Sequence, residues 1–156
     1  MAYAKLVKSR YQDEKDVEYL AAYLGRYIER CHYVEGGRNI ISSVFVNPDI
    51  VAEQFLAVQY GESFRRRLYH LVISFDPLVD DADLDFAHYV GQAVCNMYPD
   101  YQSVFAVHED KAAPHLHIMF NNCPIYPDKP KLSDVFNFVA INAAVNRMID
   151  IHLGVM

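Results

Sequence analysis

The chain has 156 residues, 53% of them hydrophobic, which is enough for one domain with a sizeable core, and no stretch approaches the roughly 18 consecutive apolar residues of a membrane span. The net charge of −6 argues against a generic nucleic-acid binder, whose surface is normally basic, and leaves room only for a local site. Cys31, Cys95 and Cys123 are odd in number and form no CxxC pair, so neither a disulfide framework nor a thiolate zinc site is indicated.

The opening "MAYAKLVKSR" lacks the apolar core of a signal peptide, so a cytosolic protein is expected. "AYAKLVKS" alternates as a first strand does. "DEKDVEYLAAYLGRYIER" (13–30) begins with acids, repeats apolar and aromatic residues at three and four, and carries Arg26 and Arg30 near its end, the pattern of an amphipathic helix. "EGG" is read as a break, "NIISSVFV" (39–46) as a second strand, and "DIVAEQFLAVQYGES" (49–63) as a helix capped by Asp49 and stopped near Gly61. "SFRRRLYH" then gathers Arg65, Arg66 and Arg67. Such a run is as consistent with a solvated loop as with a phosphate contact.

"RLYHLVISFDP" (67–77) is a β-rich run ended by Pro77, expected at the centre of a sheet with Leu71, Ile73 and Phe75 on one face and His70, Val72 and Ser74 on the other. An amphipathic helix is expected over 81–99, and "QSVFAVH" and "HLHIMFNN" read as strands joined by the turn "EDKAAP". After a proline-rich loop, Ser133 is expected to cap a last helix over 134–153. The order describes an α+β domain, residues 1–156, with a mostly antiparallel sheet covered by helices.

The chemistry concentrates in "HEDKAAPHLHIMFNN" (108–122). Side chains alternate along a strand, so His115 and His117 project from one face, and a hairpin over 109–114 returns His108 beside His115. Three neutral imidazoles make a metal site that leaves coordination positions open, and Asp110 is near enough to orient one ring. His32, His70, His88 and His152 stand alone in the sequence and are assigned to packing or surface. Tyr19, Tyr23 and Tyr27 share one face of the N-terminal helix at i, i+4 and i+8. An aromatic stripe at this spacing is usually core, while a tyrosine hydroxyl facing a metal-bound phosphate is a nucleophile.

"YHLVISFDP" followed by "VFAVHEDKAAPHLHIMFNN" resembles the two core motifs of the relaxases, the mobilisation nucleases of conjugative plasmids and integrative elements within the HUH endonuclease superfamily. "RYIER", "VNPDIVAEQFLAVQ" and "INAAVNRMIDIHLGVM" extend the resemblance over nearly the whole chain. It implies an HUH, palm-like sheet, with magnesium or manganese bound by His108, His115 and His117. It also implies a tyrosine that cuts single-stranded DNA at an origin of transfer and holds the 5′ end as a phosphotyrosine. Tyr27, followed by Ile28 and Arg30, best matches the family's tyrosine–aliphatic–x–basic pattern, and Tyr23 fits the helix register nearly as well.

Rolling-circle initiators and small HUH transposases carry their tyrosine after the histidine pair, but the last helix here contains none. Relaxases tend to be basic and to continue into further segments. This acidic chain is accordingly read either as a catalytic domain cut from a longer protein or as a small protein that relies on an accessory DNA-binding protein. Two other classes fit the same residues: a different metal-dependent phosphodiesterase built on the same histidine triad, and a degenerate module that binds single strands through aromatics and Arg65, Arg66 and Arg67.

Overall fold

Antiparallel strands that alternate in side-chain direction set the frame on which the helices pack. The computed structural model describes residues 2–7, 11–25, 31–38, 48–63, 65–109 and 112–155. In chain order the elements are β1 (Tyr3–Leu6), α1 (Glu14–Gly25), β2 (Cys31–Arg38), α2 (Pro48–Gln59), β3 (Leu68–Ser74), α3 (Leu84–Asn96), β4 (Tyr101–His108), β5 (His115–Pro124), a 3-10 turn (Leu132–Asp134) and α4 (Phe138–His152). Among the described residues the strands form one five-stranded sheet in the order β1-β3-β5-β4-β2, with every neighbouring pair antiparallel. The fold is α+β, as the element order implies. No helix among the described residues is long and apolar enough to cross a membrane.

The alternation of the strands divides the core in two. On one face Leu71, Ile73, Phe105, Val107, Leu116, Ile118 and Phe120 pack under α3 and α4. On the other, Leu68, Val104, Ala106 and Met119 meet Val17, Leu20 and Leu24 of α1 and Val51, Ala52 and Phe55 of α2. Cys95 and Cys123 are buried free thiols, and burial pushes the Cys95 thiol up to about 12. Both fit the packing role that their scattered spacing suggests.

β3 lies inside the sheet between β1 and β5, with Leu71, Ile73 and Phe75 on one face as expected, but the middle strand is β5. The hairpin strand takes the centre because it pairs on both sides, with β3 and with β4. The "EGG" stretch lies inside β2 rather than breaking the chain. Gly36 pairs with Val104 and Arg38 with Ser103, so Gly37 is the extra residue of a bulge on an edge strand. Glycine is tolerated at such positions in a strand. The strand expected over 39–46 lies outside the described residues.

Helix boundaries follow side-chain capping. Asp83 accepts from the Phe86 amide at 2.8 Å and starts α3. Asn137 accepts from the Ala140 amide at 3.0 Å and starts α4. The last helix therefore begins at Phe138, and Ser133 lies in the preceding 3-10 turn instead of capping it. An asparagine oxygen satisfies the free amides of the first helical turn as well as serine does.

Candidate metal centre

β4 and β5 pair so that His108 and His115 are directly opposite, and His117, two residues along, points to the same face as His115. The hairpin thus brings together three imidazoles that sequence alone separates by up to nine positions. Ring centroids lie 5.3 Å apart for His108 and His115, 4.3 Å for His108 and His117, and 5.1 Å for His115 and His117. One nitrogen from each lies within 4.8 Å of the others, and all three side chains are buried. They sit at the margin of the core under α1 and α2, on the face opposite Leu116 and Ile118.

The donor set fits a divalent metal on two grounds. Three imidazole nitrogens at this separation need only small ring adjustments to share one ion with bonds of about 2.0–2.1 Å. In addition, His108 Nε2 and His115 Nδ1 are buried nitrogens that make no hydrogen bond, although both rings have other contacts. Burying polar atoms in this way is costly unless a ligand engages them.

A fourth histidine joins the cluster. His70, on β3, places Nε2 2.8 Å from His117 Nδ1, and its Nδ1 is 3.0 Å from the hydroxyl of Tyr11. Burial, assisted by the neighbouring His108, pushes the His70 pKa down to about 4. Burial likewise pushes the Tyr11 phenol up to about 12. Both side chains are therefore neutral at ordinary pH. From sequence His70 reads as a packing residue, because a lone histidine in a strand does not reveal which strand lies beside it. The parity it shares with Val72 and Ser74 is legible, but the register that pairs Val72 with His117 is not.

α1 presents Tyr23 against the same cluster. Its ring centroid is 5.5 Å from that of His117, 6.1 Å from His108 and 6.3 Å from His70. Tyr19, one turn earlier, stacks on Tyr23 at 6.5 Å and is 57% exposed. Tyr27 and Asp110 lie outside the described residues.

The three arginines do not act as one patch. Arg67 donates from Nε to the Gln12 carbonyl at 2.8 Å and from Nη1 to Gln59 Oε1 at 2.9 Å, tying the segment before α1 to α2. Arg66 lies 4.6 Å over the ring of Tyr69, and Arg65 is exposed. Arg65 and Arg66 line a cleft with Tyr69, Asn122 and Lys131. That cleft is at the Leu68 end of β3, whereas His115 pairs with Ser74 at the other end. Two of the remaining histidines follow expectation: His88 packs near Phe105 at 5.6 Å, and His152 stacks on Phe86 at 4.0 Å.

The MobA/VirD2-like nuclease domain of relaxases matches residues 27–148. The chain is a relaxase-family nuclease domain. No curated protein matches it. The match takes in His108, His115 and His117 and their hairpin, and Tyr27 is its first residue, while Tyr11, Tyr19 and Tyr23 precede it. Hydrophobic patterning could not have found the buried network around Asn121 either. Gln59 Nε2 donates to Asn121 Oδ1 at 2.9 Å, and Asn121 Nδ2 donates to Gln102 Oε1 at 2.9 Å and to the Phe55 carbonyl at 3.2 Å. This network fastens α2 to β5, the strand that carries His115 and His117.

Proposed function

We propose that this chain is a metal-dependent, strand-specific DNA-nicking transesterase that acts in the cytoplasm on a single-stranded origin of transfer during conjugative mobilisation. The observation that carries this reading is the convergence of His108, His115 and His117 beneath a helical tyrosine, in a chain of the relaxase family. His108, His115 and His117 would hold the ion. Between the two metals expected from the family resemblance, an all-imidazole donor set suits manganese better than magnesium, which prefers oxygen ligands. When bound, the ion supplies charge that polarises the scissile phosphate.

The chain's own residues do the rest. A tyrosine of the segment 14–30 attacks phosphorus through its hydroxyl oxygen. The tyrosine Oη–P bond forms as the P–O3′ bond breaks, the phenol proton passes to a base, and the departing 3′ oxygen takes up a proton. The 5′ end stays esterified until the reverse reaction reseals the strand. Tyr27 is the match to the family pattern, and Tyr23 is favoured by its ring, which lies against the histidines. Asp110 is assigned as the base, acting through a histidine. A phenol has an ordinary pKa of about 10, so attack at neutral pH requires such assistance. Arg65 and Arg66, which line the cleft with Tyr69, are assigned to phosphates of the same strand, with Arg67 holding the adjoining backbone. The domain spans residues 1–156, and the DNA affinity that an acidic chain lacks comes either from further segments of a longer protein or from an accessory DNA-binding protein.

Incubation with a panel of single-stranded origin-like oligonucleotides and Mn2+ tests the reading on a denaturing gel. An SDS-stable adduct that disappears with EDTA supports it. Cleavage without an adduct would identify a phosphodiesterase built on the histidine triad instead, and retention without cleavage would identify a single-strand binding module.

A further inference from the structure

An imidazole that binds a metal through one nitrogen carries its proton on the other, and the partner of that N–H fixes both the tautomer and the ring's orientation. For His117 that partner is His70: His117 Nδ1 lies 2.8 Å from His70 Nε2, and His70 Nδ1 lies 3.0 Å from the Tyr11 hydroxyl. The hydrogen bonds by themselves fit either direction of donation, and a metal held by His117 Nε2 selects one of them. His117 Nδ1–H donates to His70 Nε2, and His70 Nδ1–H donates to Tyr11 Oη, which leaves the lone pair of His117 Nε2 for the triad.

We infer that His70 and Tyr11 are positioning residues of the metal centre, a two-member hydrogen-bonded chain that sets the tautomer and aim of His117. The inference rests on the metal reading given above. Three further observations support it. His70 is 5% exposed and Tyr11 9%, so water does not compete for these bonds. Tyr11 has a backbone φ of +46°, a left-handed conformation that bulky L-residues seldom adopt without a compensating contact. The segment is pinned there because the Arg67 amide donates to the Tyr11 carbonyl at 3.0 Å and Arg67 Nε to the next carbonyl at 2.8 Å. Tyr11 also precedes the matched family segment. Part of the metal centre's support therefore comes from the chain's own N-terminal region.

Titrating the full chain with Mn2+ by calorimetry, and reading the His117 ring by 15N NMR in the Mg2+-loaded protein, tests the inference. His70→Leu should weaken Mn2+ binding about 10–100-fold, as loss of a partner to a ligating histidine does. His70→Gln should recover most of it, because the glutamine oxygen reaches the place of Nε2 and its amide can still donate to Tyr11. Tyr11→Phe should weaken binding in the same direction by less than His70→Leu. In the parent protein the His117 proton should be on Nδ1. If the parent binds no Mn2+, the metal reading itself falls. If the parent binds while His70→Leu binds within about twofold of it, or if the His117 proton is found on Nε2, the positioning role alone is overturned. Should His70→Leu not fold, the tautomer in the parent and the His70→Gln titration still decide the question.

Discussion

Replacing Asn121 by leucine should cost more than any other single change of equal volume in the sheet. Asn121 is fully buried, and its side chain holds four hydrogen bonds: from Gln59 Nε2, from the Cys123 amide at 3.0 Å, to Gln102 Oε1 and to the Phe55 carbonyl. Leucine fills the space, so no large cavity opens, but the partners remain behind. Gln59 Nε2 keeps its second acceptor, the Arg67 carbonyl at 2.9 Å. Gln102 Oε1 and the Cys123 amide lose the bond that Asn121 supplies. At about 1–3 kcal/mol for each buried polar group left unsatisfied, two such groups give a loss of about 2–6 kcal/mol. For a domain of this size that corresponds to a fall in Tm of roughly 4–24 °C, at about 2–4 °C per kcal/mol. Thermal unfolding followed by circular dichroism, with a urea titration to confirm that the transition stays cooperative, measures it. A variant that melts within about 2 °C of the parent would refute the claim that this network fastens α2 to β5.

Gly91→Ala on α3 should destabilise despite alanine's better helix propensity, because the new Cβ would lie 2.6 Å from Cδ2 and Cε2 of the buried Phe105 ring. Overpacking of about 1–3 kcal/mol, less about 1 kcal/mol of propensity, leaves a net loss of up to about 2 kcal/mol in a chemical denaturation. In EDTA, stability should fall as pH drops from about 6.5 to 4. His70 stays neutral in the fold to about 4 while the unfolded chain protonates near 6.5, so the stability present above the unfolded pKa is lost by the folded one. The full effect is about 3 kcal/mol, and a His70→Gln variant should show a shallower acid slope in the same urea series. Arg65→Ala should lower affinity for a single-stranded oligonucleotide and flatten its salt dependence without changing Tm. Arg67→Ala should lower Tm, since its guanidinium bridges Gln12 and Gln59.

The contrast between His117 and His70 shows where reading a sequence stops. The spacing of His115 and His117, and the turn that returns the chain from His108, are local facts, and the strand's period of two turns them directly into a shared face. His70 is 47 positions from His117, and only the register of β3 on β5 brings the two rings together. Tyr11 is harder still, because it belongs to no periodic element and its backbone conformation is set by Arg67, far along the chain. The same limit explains the arginines. Three adjacent cations look like one patch in sequence, but Arg67 turns to Gln59 of α2 while Arg65 and Arg66 line a cleft at the Leu68 end of β3, a difference that only the packing around the strand's start decides. The bulge at Gly37 was unreadable for a related reason: a glycine pair breaks a chain in most contexts, and an edge strand is the place that absorbs it.

The proposed chemistry depends above all on a tyrosine of the N-terminal segment 14–30 capturing DNA beside the histidine triad. Mass spectrometry of the adduct formed with Mn2+ and a single-stranded oligonucleotide, trimmed by nuclease and digested to peptides, tests it most directly. The expected result is a nucleotide phosphate on one tyrosine within residues 14–30, at Tyr27 or Tyr23, and its absence from a His117→Ala protein. A nucleotide on any residue outside that segment, or cleaved DNA with a free 5′ phosphate and no modified peptide, would contradict it.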